Sequence, residues 1–271
     1  MSVHAADGDA LWAGSKATIA EPHGPGIAST IAGRLREHRP MSVFFTVTLA
    51  GYALLAGAII GLGLLVTKVL LRVGAIEDAD AFVPRWMAEH RRPWLNDVSG
   101  VVSKMGDIPT LPALVLVTIV VALVVRRFRI GGFLLTASLM EVTLYRLGVL
   151  AVPRVRPDVA RLDTLPVDES FPSGHVAASL VVYVGLALLI TSRFRRGWVG
   201  PVTWTIAVAI VLAVATSRIY RGMHHPLDAL SGMLLGAGCL VVALVAVRAL
   251  GHVQRLRGES ALRSARPKEL T

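Results

Sequence analysis

Three short pieces of this 271-residue chain carry side chains able to do chemistry together. The first holds Arg156-Pro157, the second Phe171-Pro172-Ser173-Gly174-His175, and the third Ser217-Arg218 followed by His224 and Asp228. Arg156 and Arg218 are planar, permanently charged donors whose geometry matches phosphate oxygens. Ser173 is placed to cap a helix, and Gly174 lets backbone approach an anion at that helix N-terminus. His224 and Asp228, four residues apart, can share one face of a helical turn. The carboxylate is then expected to hold one ring nitrogen protonated and leave the other free as a nucleophile. His175 falls to the remaining role, general acid to a leaving oxygen. The chemistry these residues suggest is the binding of a phosphate and attack upon it. Two alternatives stay open. His225 stands three residues before Asp228 and could compete for its carboxylate, and His175, His224, His225 and Asp228 include the donor types of a zinc site. The one cysteine, Cys239, excludes an intramolecular disulfide framework and any multi-cysteine metal centre.

The elements that must position these residues follow from composition. With 54% hydrophobic and 17% charged residues and a mean hydropathy of +0.62, the chain is built to fold largely in lipid. Residues 41–67, 108–125, 197–217 and 229–247 are free of charge, each near the roughly 20 residues that cross ~30 Å of hydrocarbon. Two further apolar stretches are 130–152, interrupted by Glu141 and Arg146, and 174–192, opened by His175. The expected fold is all-α: an integral membrane bundle of six transmembrane helices over 41–250. Residues 1–40 are expected to be a disordered tail, neither a cleaved signal peptide nor a folded domain, and 251–271 a basic tail. Between the first two spans, Phe82, Val83, Trp86 and Met87, then Leu95, Val98, Val102 and Met105, recur at helical spacing among charges. They predict short amphipathic extracytoplasmic helices on the outer leaflet. Gly57-xxx-Gly61 and Gly232-xxx-Gly236 would permit close helix packing.

Orientation follows from the basic residues. Residues 1–40 and 248–271 and the connections at 126–129 and 193–196 hold sixteen Lys and Arg against six Asp and Glu, the whole of the net +10 charge. Both termini are therefore expected in the cytoplasm, and all three reactive pieces on the extracytoplasmic face. The C-terminal Arg255, Arg257, Arg263, Arg266 and Lys268 read as contacts to anionic membrane lipids, not to nucleic acid. Arg154, Arg161, Arg193, Arg195, Arg196 and Arg221 read most simply as solvated or headgroup-contacting charges. Glu141, near the middle of a span, should face the bundle as a proton relay or as a hydrogen-bond partner of a neighbouring helix.

Ser217-Arg218, five residues, His224, three residues, Asp228 resembles the third motif of the type-2 phosphatidic acid phosphatase superfamily, and Pro172-Ser173-Gly174-His175 its second. The family spacing selects His224 over His225. The resemblance implies a six-helix membrane enzyme with an outer-face site and metal-free phosphate chemistry without a cofactor. Its substrate would be a lipid phosphate or lipid diphosphate, undecaprenyl diphosphate or a phosphatidate-like lipid, in a bacterial plasma membrane; nothing in it specifies an oligomer. The first motif departs: the family has a lysine, six residues, then Arg-Pro, and with Arg156-Pro157 in place the lysine position is Val149. Arg146, three residues earlier on nearly the same face, is expected to reach the phosphate instead. The rival reading is a transporter or scaffold that binds phosphate without turnover, against which the lack of internal repeats argues.

Overall fold

The computed structural model describes residues 25–164, 168–194 and 197–265, with side chains through residue 260. Nine helices are described: α1 (Ile27–Arg34), α2 (Pro40–Lys68), α3 (Gly74–Glu89), α4 (Pro93–Lys104), α5 (Thr110–Val124), α6 (Phe128–Ala151), α7 (Gly174–Arg193), α8 (Val199–Tyr220) and α9 (Pro226–Ala265). Extended pairing among the described residues is confined to a single bridge between Val155 and Glu169. The all-α reading is thus met.

Five helical stretches are long and apolar enough to cross a membrane: Pro40–Arg72, Phe128–Ala151, Gly174–Arg193, Val199–Tyr220 and Pro226–Ser260. The chain is a multi-pass membrane protein. The expected sixth span, α5, is apolar but has 15 residues, about 22 Å of helix, short of the ~30 Å hydrocarbon thickness.

Helix α9 is the axis, packing on α1, α2, α6 and α7. It approaches α7 closely because Gly232 and Gly236 face that helix. A Cβ at Gly236 would stand 2.6 Å from the Ala177 carbonyl oxygen, and one at Gly232 would collide with that of Ser173. The expectation of close packing holds for this pair. It fails for Gly57 and Gly61, where a Cβ would meet nothing within 4 Å. Helix α7 holds a π-helical turn at Leu180–Val184, against which α8 packs.

Part of each expected tail is helical. Residues 1–24 and 266–271 lie outside the described residues, but 27–34 are helical, and Ala28 and Ala32 pack with Val43, Ala249 and Val253. Small residues four apart make a narrow apolar stripe that a neighbouring helix can cover. Helix α9 likewise runs through 251–265, so the expected basic tail begins as an extension of a span.

The two expected amphipathic helices are α3 and α4, with their polarity turned inside out. Phe82, Trp86, Trp94, Val98 and Val101 are exposed, while Asp80, Ser99 and Ser103 are buried. A helix in lipid can leave its apolar face outward if its polar stripe has charges to cover, and here that stripe lies over the end of α8.

Candidate active site

The end of α8 must stop abruptly for Arg218 and His224 to face one space. Gly222 does this with φ +75°, a conformation that favours glycine. Its N–H donates to the Ile219 carbonyl at 2.9 Å, and that of Met223 to the Arg218 carbonyl at 3.0 Å, the paired bonds of a Schellman stop. The second piece is tied to the third by the Ser173 N–H, which donates to the Asp228 carbonyl at 3.1 Å. Ser173 is the N-cap residue of α7 with an extended backbone, but its hydroxyl makes no capping bond; Oγ is buried with no hydrogen-bond partner among the described residues. Gly174 is required sterically. A Cβ there would lie 2.9 Å from Cε2 and 3.1 Å from Cζ of the Tyr145 ring.

His224 is buried, and its Nδ1 lies 2.8 Å from the Ser170 carbonyl oxygen. A carbonyl only accepts, so Nδ1 carries the proton and Nε2 keeps its lone pair. Burial pushes this imidazole well below its ordinary 6.5. Arg218, Arg156 and His175 push the same way, and the nearby Asp228 opposes them. His224 thus lies within electrostatic reach of Arg156, Arg218, His175 and Asp228. His175 donates from Nε2 to Asp107 Oδ1 at 2.7 Å.

The arginines are held from behind. Arg156 donates from Nη1 to the Met223 carbonyl at 2.5 Å. Arg218, 2% exposed, donates from Nη1 to Ser103 Oγ at 2.9 Å and to Asp163 Oδ2 at 2.7 Å, while its Nε and Nη2 are buried with no hydrogen-bond partner among the described residues. Buried guanidinium donors left unpaired are costly, so their persistence marks a place where an anion would complete them. Burial resists ionisation of Asp163, but a hydrogen bond from Arg221 and the charges of Arg218 and Arg221 outweigh it and hold the carboxyl below its usual range.

Several sequence-based expectations change here. Asp228 does not orient His224. Its carboxylate takes the His225 N–H at 2.8 Å, His225 Nδ1 at 3.3 Å and Arg154, so the competition from His225 is realised and a backbone carbonyl does the orienting. Arg154 and Arg221 are not solvated charges. Arg154 is buried between Asp80 and Asp228, and Arg221 forms a two-pronged pair with Asp163, Nη2 to Oδ1 at 2.6 Å and Nε to Oδ2 at 2.8 Å. Arg146 is exposed on the side of α6 opposite the buried Ala137, Glu141, Leu144 and Gly148, and it pairs with neither the cluster nor Glu141. Five contributors went unnoticed in the sequence: Asp80, Asp107, Asp163, Ser170 and Tyr145. For Asp80 a signal existed, an acid on the stripe opposite Phe82 and Trp86 in a helix whose apolar side faces lipid. Among the described residues, no three of His, Cys, Asp or Glu are grouped to hold a metal ion.

Residues 133–251, which contain the site residues from Tyr145 to Asp228 but not Asp80 or Asp107, match the PAP2 superfamily model. The match spans α6 to α9. Phosphatidylglycerophosphatase B of Bacillus subtilis is 28% identical over 181 residues, 64% of this chain and 85% of that protein. Undecaprenyl-diphosphatase of Sulfolobus acidocaldarius is 28% identical over 146 residues, 52% of this chain and 66% of that one. The crystal structure of a transmembrane PAP2 type phosphatidylglycerolphosphate phosphatase from Bacillus subtilis superposes with a TM-score of 0.58 at 23% identity, covering 86% of this chain and all of that one, a likeness of fold. By their names these relatives are phosphatases of lipid phosphates.

Proposed function

We propose that this protein hydrolyses a lipid phosphate or lipid diphosphate, an undecaprenyl diphosphate or a phosphatidate-like lipid, at the extracytoplasmic face of a bacterial plasma membrane. The observation that carries the reading is the pairing of a nucleophile with unfilled anion donors. Nε2 of His224 keeps its lone pair close to where Arg218 Nε and Nη2 and Ser173 Oγ have no hydrogen-bond partner among the described residues.

In the proposed reaction Nε2 of His224 attacks phosphorus, the bond from phosphorus to the leaving oxygen breaks, and His175 gives that oxygen a proton. The ring gains positive charge as the N–P bond forms, and the Ser170 carbonyl at Nδ1–H stabilises it. Water then attacks phosphorus, the N–P bond breaks to free His224 and phosphate, and His175 takes the proton from the attacking water, as microscopic reversibility requires. The Asp107 carboxylate accepts from Nε2 of His175 and so fixes the orientation of that ring, which leaves Nδ1 to face the leaving oxygen. Arg156, Arg218, Ser173 and the Gly174 backbone would hold the phosphoryl oxygens in the transition state. Asp228 acts at one remove, positioning Ser173 through its carbonyl and meeting Arg154 through its carboxylate. The basic surplus on the opposite connections supports the outer-face placement.

Purified protein should release phosphate from at least one lipid phosphate or diphosphate, and His224→Ala should lower turnover by ~10³-fold or more. Binding without turnover by the wild-type protein would instead support a transporter or scaffold. In a Cys239→Ser background, cysteine at Thr164 should react with an impermeant reagent from outside and cysteine at Gly197 should not; the reverse pattern removes the outer-face placement.

A further inference from the structure

The PAP2 motif has a lysine where this chain has Val149, and Arg146 faces away from the cluster. Helical side chains lean toward the N-terminus, so a lysine at 149 would lie over the preceding turn, where residue 145 sits on the same face. Tyr145 occupies that place. It packs on the buried core, and its ring edge lies on the first residue of α7, with the hydroxyl-bearing Cζ 3.1 Å from where a Gly174 Cβ would be. The phenol is close enough to Arg156 to act on it electrostatically, and its hydroxyl has no hydrogen-bond partner among the described residues. A hydroxyl left open beside Arg156, on a ring that lies against the α7 N-terminus next to the Ser173 hydroxyl, is a donor available to an anion bound there.

We propose that the Tyr145 hydroxyl takes the place of the missing lysine, donating a neutral hydrogen bond to a phosphoryl oxygen of the substrate; this rests on the lipid phosphatase reading above. The site then grips phosphate with two arginines, a serine and a phenol in place of three cations. Two consequences follow. The oxygen loses a charged donor and keeps a directional one, and the affinity of the site for anions depends less on ionic strength, because one fewer charge is there to be screened.

The test uses the full chain in detergent and orthovanadate as the probe, with binding measured by titration at several salt concentrations. Tyr145→Phe keeps the ring on Gly174 and removes only the hydroxyl, so thermal unfolding should match the wild type while vanadate affinity falls about 10-fold or more. Adding Val149→Lys to Tyr145→Phe should restore the affinity and make it fall more steeply with salt than in the wild type. Wild-type affinity in Tyr145→Phe overturns the proposal. So does a wild-type salt dependence as steep as that of the lysine-bearing variant, or wild-type protein that binds no vanadate. Phosphate release from lipids tests the parent reading separately: protein that binds vanadate but hydrolyses no lipid phosphate sinks that reading, and the Tyr145 comparison still decides this one.

Discussion

The two ends of the bundle are built on opposite principles. At the end where α1 meets α9, the contacts are Ala28, Ala32, Val43, Ala249 and Val253, side chains that fill space and have no second requirement. At the other end Asp80, Arg154, Arg156, Arg218, Arg221 and Asp228 are all buried, each fixed by a named partner. An apolar contact tolerates any side chain of similar volume. A buried charge demands an opposite charge or a hydrogen-bond acceptor or donor at close range, because the cost of taking it out of water is several kcal/mol. The reactive end is therefore held by buried charge pairs, whereas the contact of α1 with α9 is made by apolar packing.

The comparison breaks most visibly at Arg154. Arg154→Leu leaves the Asp80 and Asp228 carboxylates facing each other's surroundings without their shared cation. It should destabilise the protein by about 3–5 kcal/mol, read as thermal unfolding in detergent, and disturb Ser173 through Asp228. Leu134→Met in the apolar core, equally buried, should cost less than about 1.5 kcal/mol. Equal losses for the two would show that Arg154 contributes packing alone.

The glycines sharpen the contrast at a smaller scale. Gly236→Val pushes side-chain atoms onto the backbone of α7 and should cost about 1–3 kcal/mol, with loss of activity as the α7 N-terminus shifts. Gly57→Ala, into open space, should be neutral or slightly stabilising, since alanine favours the helix. If both behave alike, the approach of α7 to α9 does not depend on the small residue.

The smallest effect is with pH. Unfolded His224 takes up a proton near 6.5, whereas burial holds the folded ring neutral well below that value. Between those values the unfolded chain binds more protons, so this contribution is complete above 6.5 and is lost as pH falls toward the folded value. The difference in unfolding temperature between wild type and His224→Gln should move against the wild type as pH is lowered from 8 to 5. A difference independent of pH would mean that the folded ring titrates as it does in water.

How much of this was legible in the chain depends on distance along it. Charge-free runs and the placement of basic residues were enough for an all-α membrane bundle, because a helix closes its own backbone hydrogen bonds and hydrocarbon selects its length. Arg156, Ser173, Gly174, His175, Arg218 and His224 were visible as candidates because they sit in short pieces with turn and cap residues around them. The α1 helix was missed because two alanines at helical spacing look no different from a polar, small-residue tail until α9 is there to cover them. The partners of the charges were decided by folding alone. Asp80 meets Arg154 across 74 residues, Asp107 meets His175 across 68, and Ser170 meets His224 across 54. A carboxylate four residues from a histidine was the natural local partner, yet a nearer cation and His225 took it, and a carbonyl brought from another loop replaced it. Periodicity states which face a residue is on. Which charge it finds there depends on the helix that tertiary packing sets opposite, and burial makes that choice compulsory.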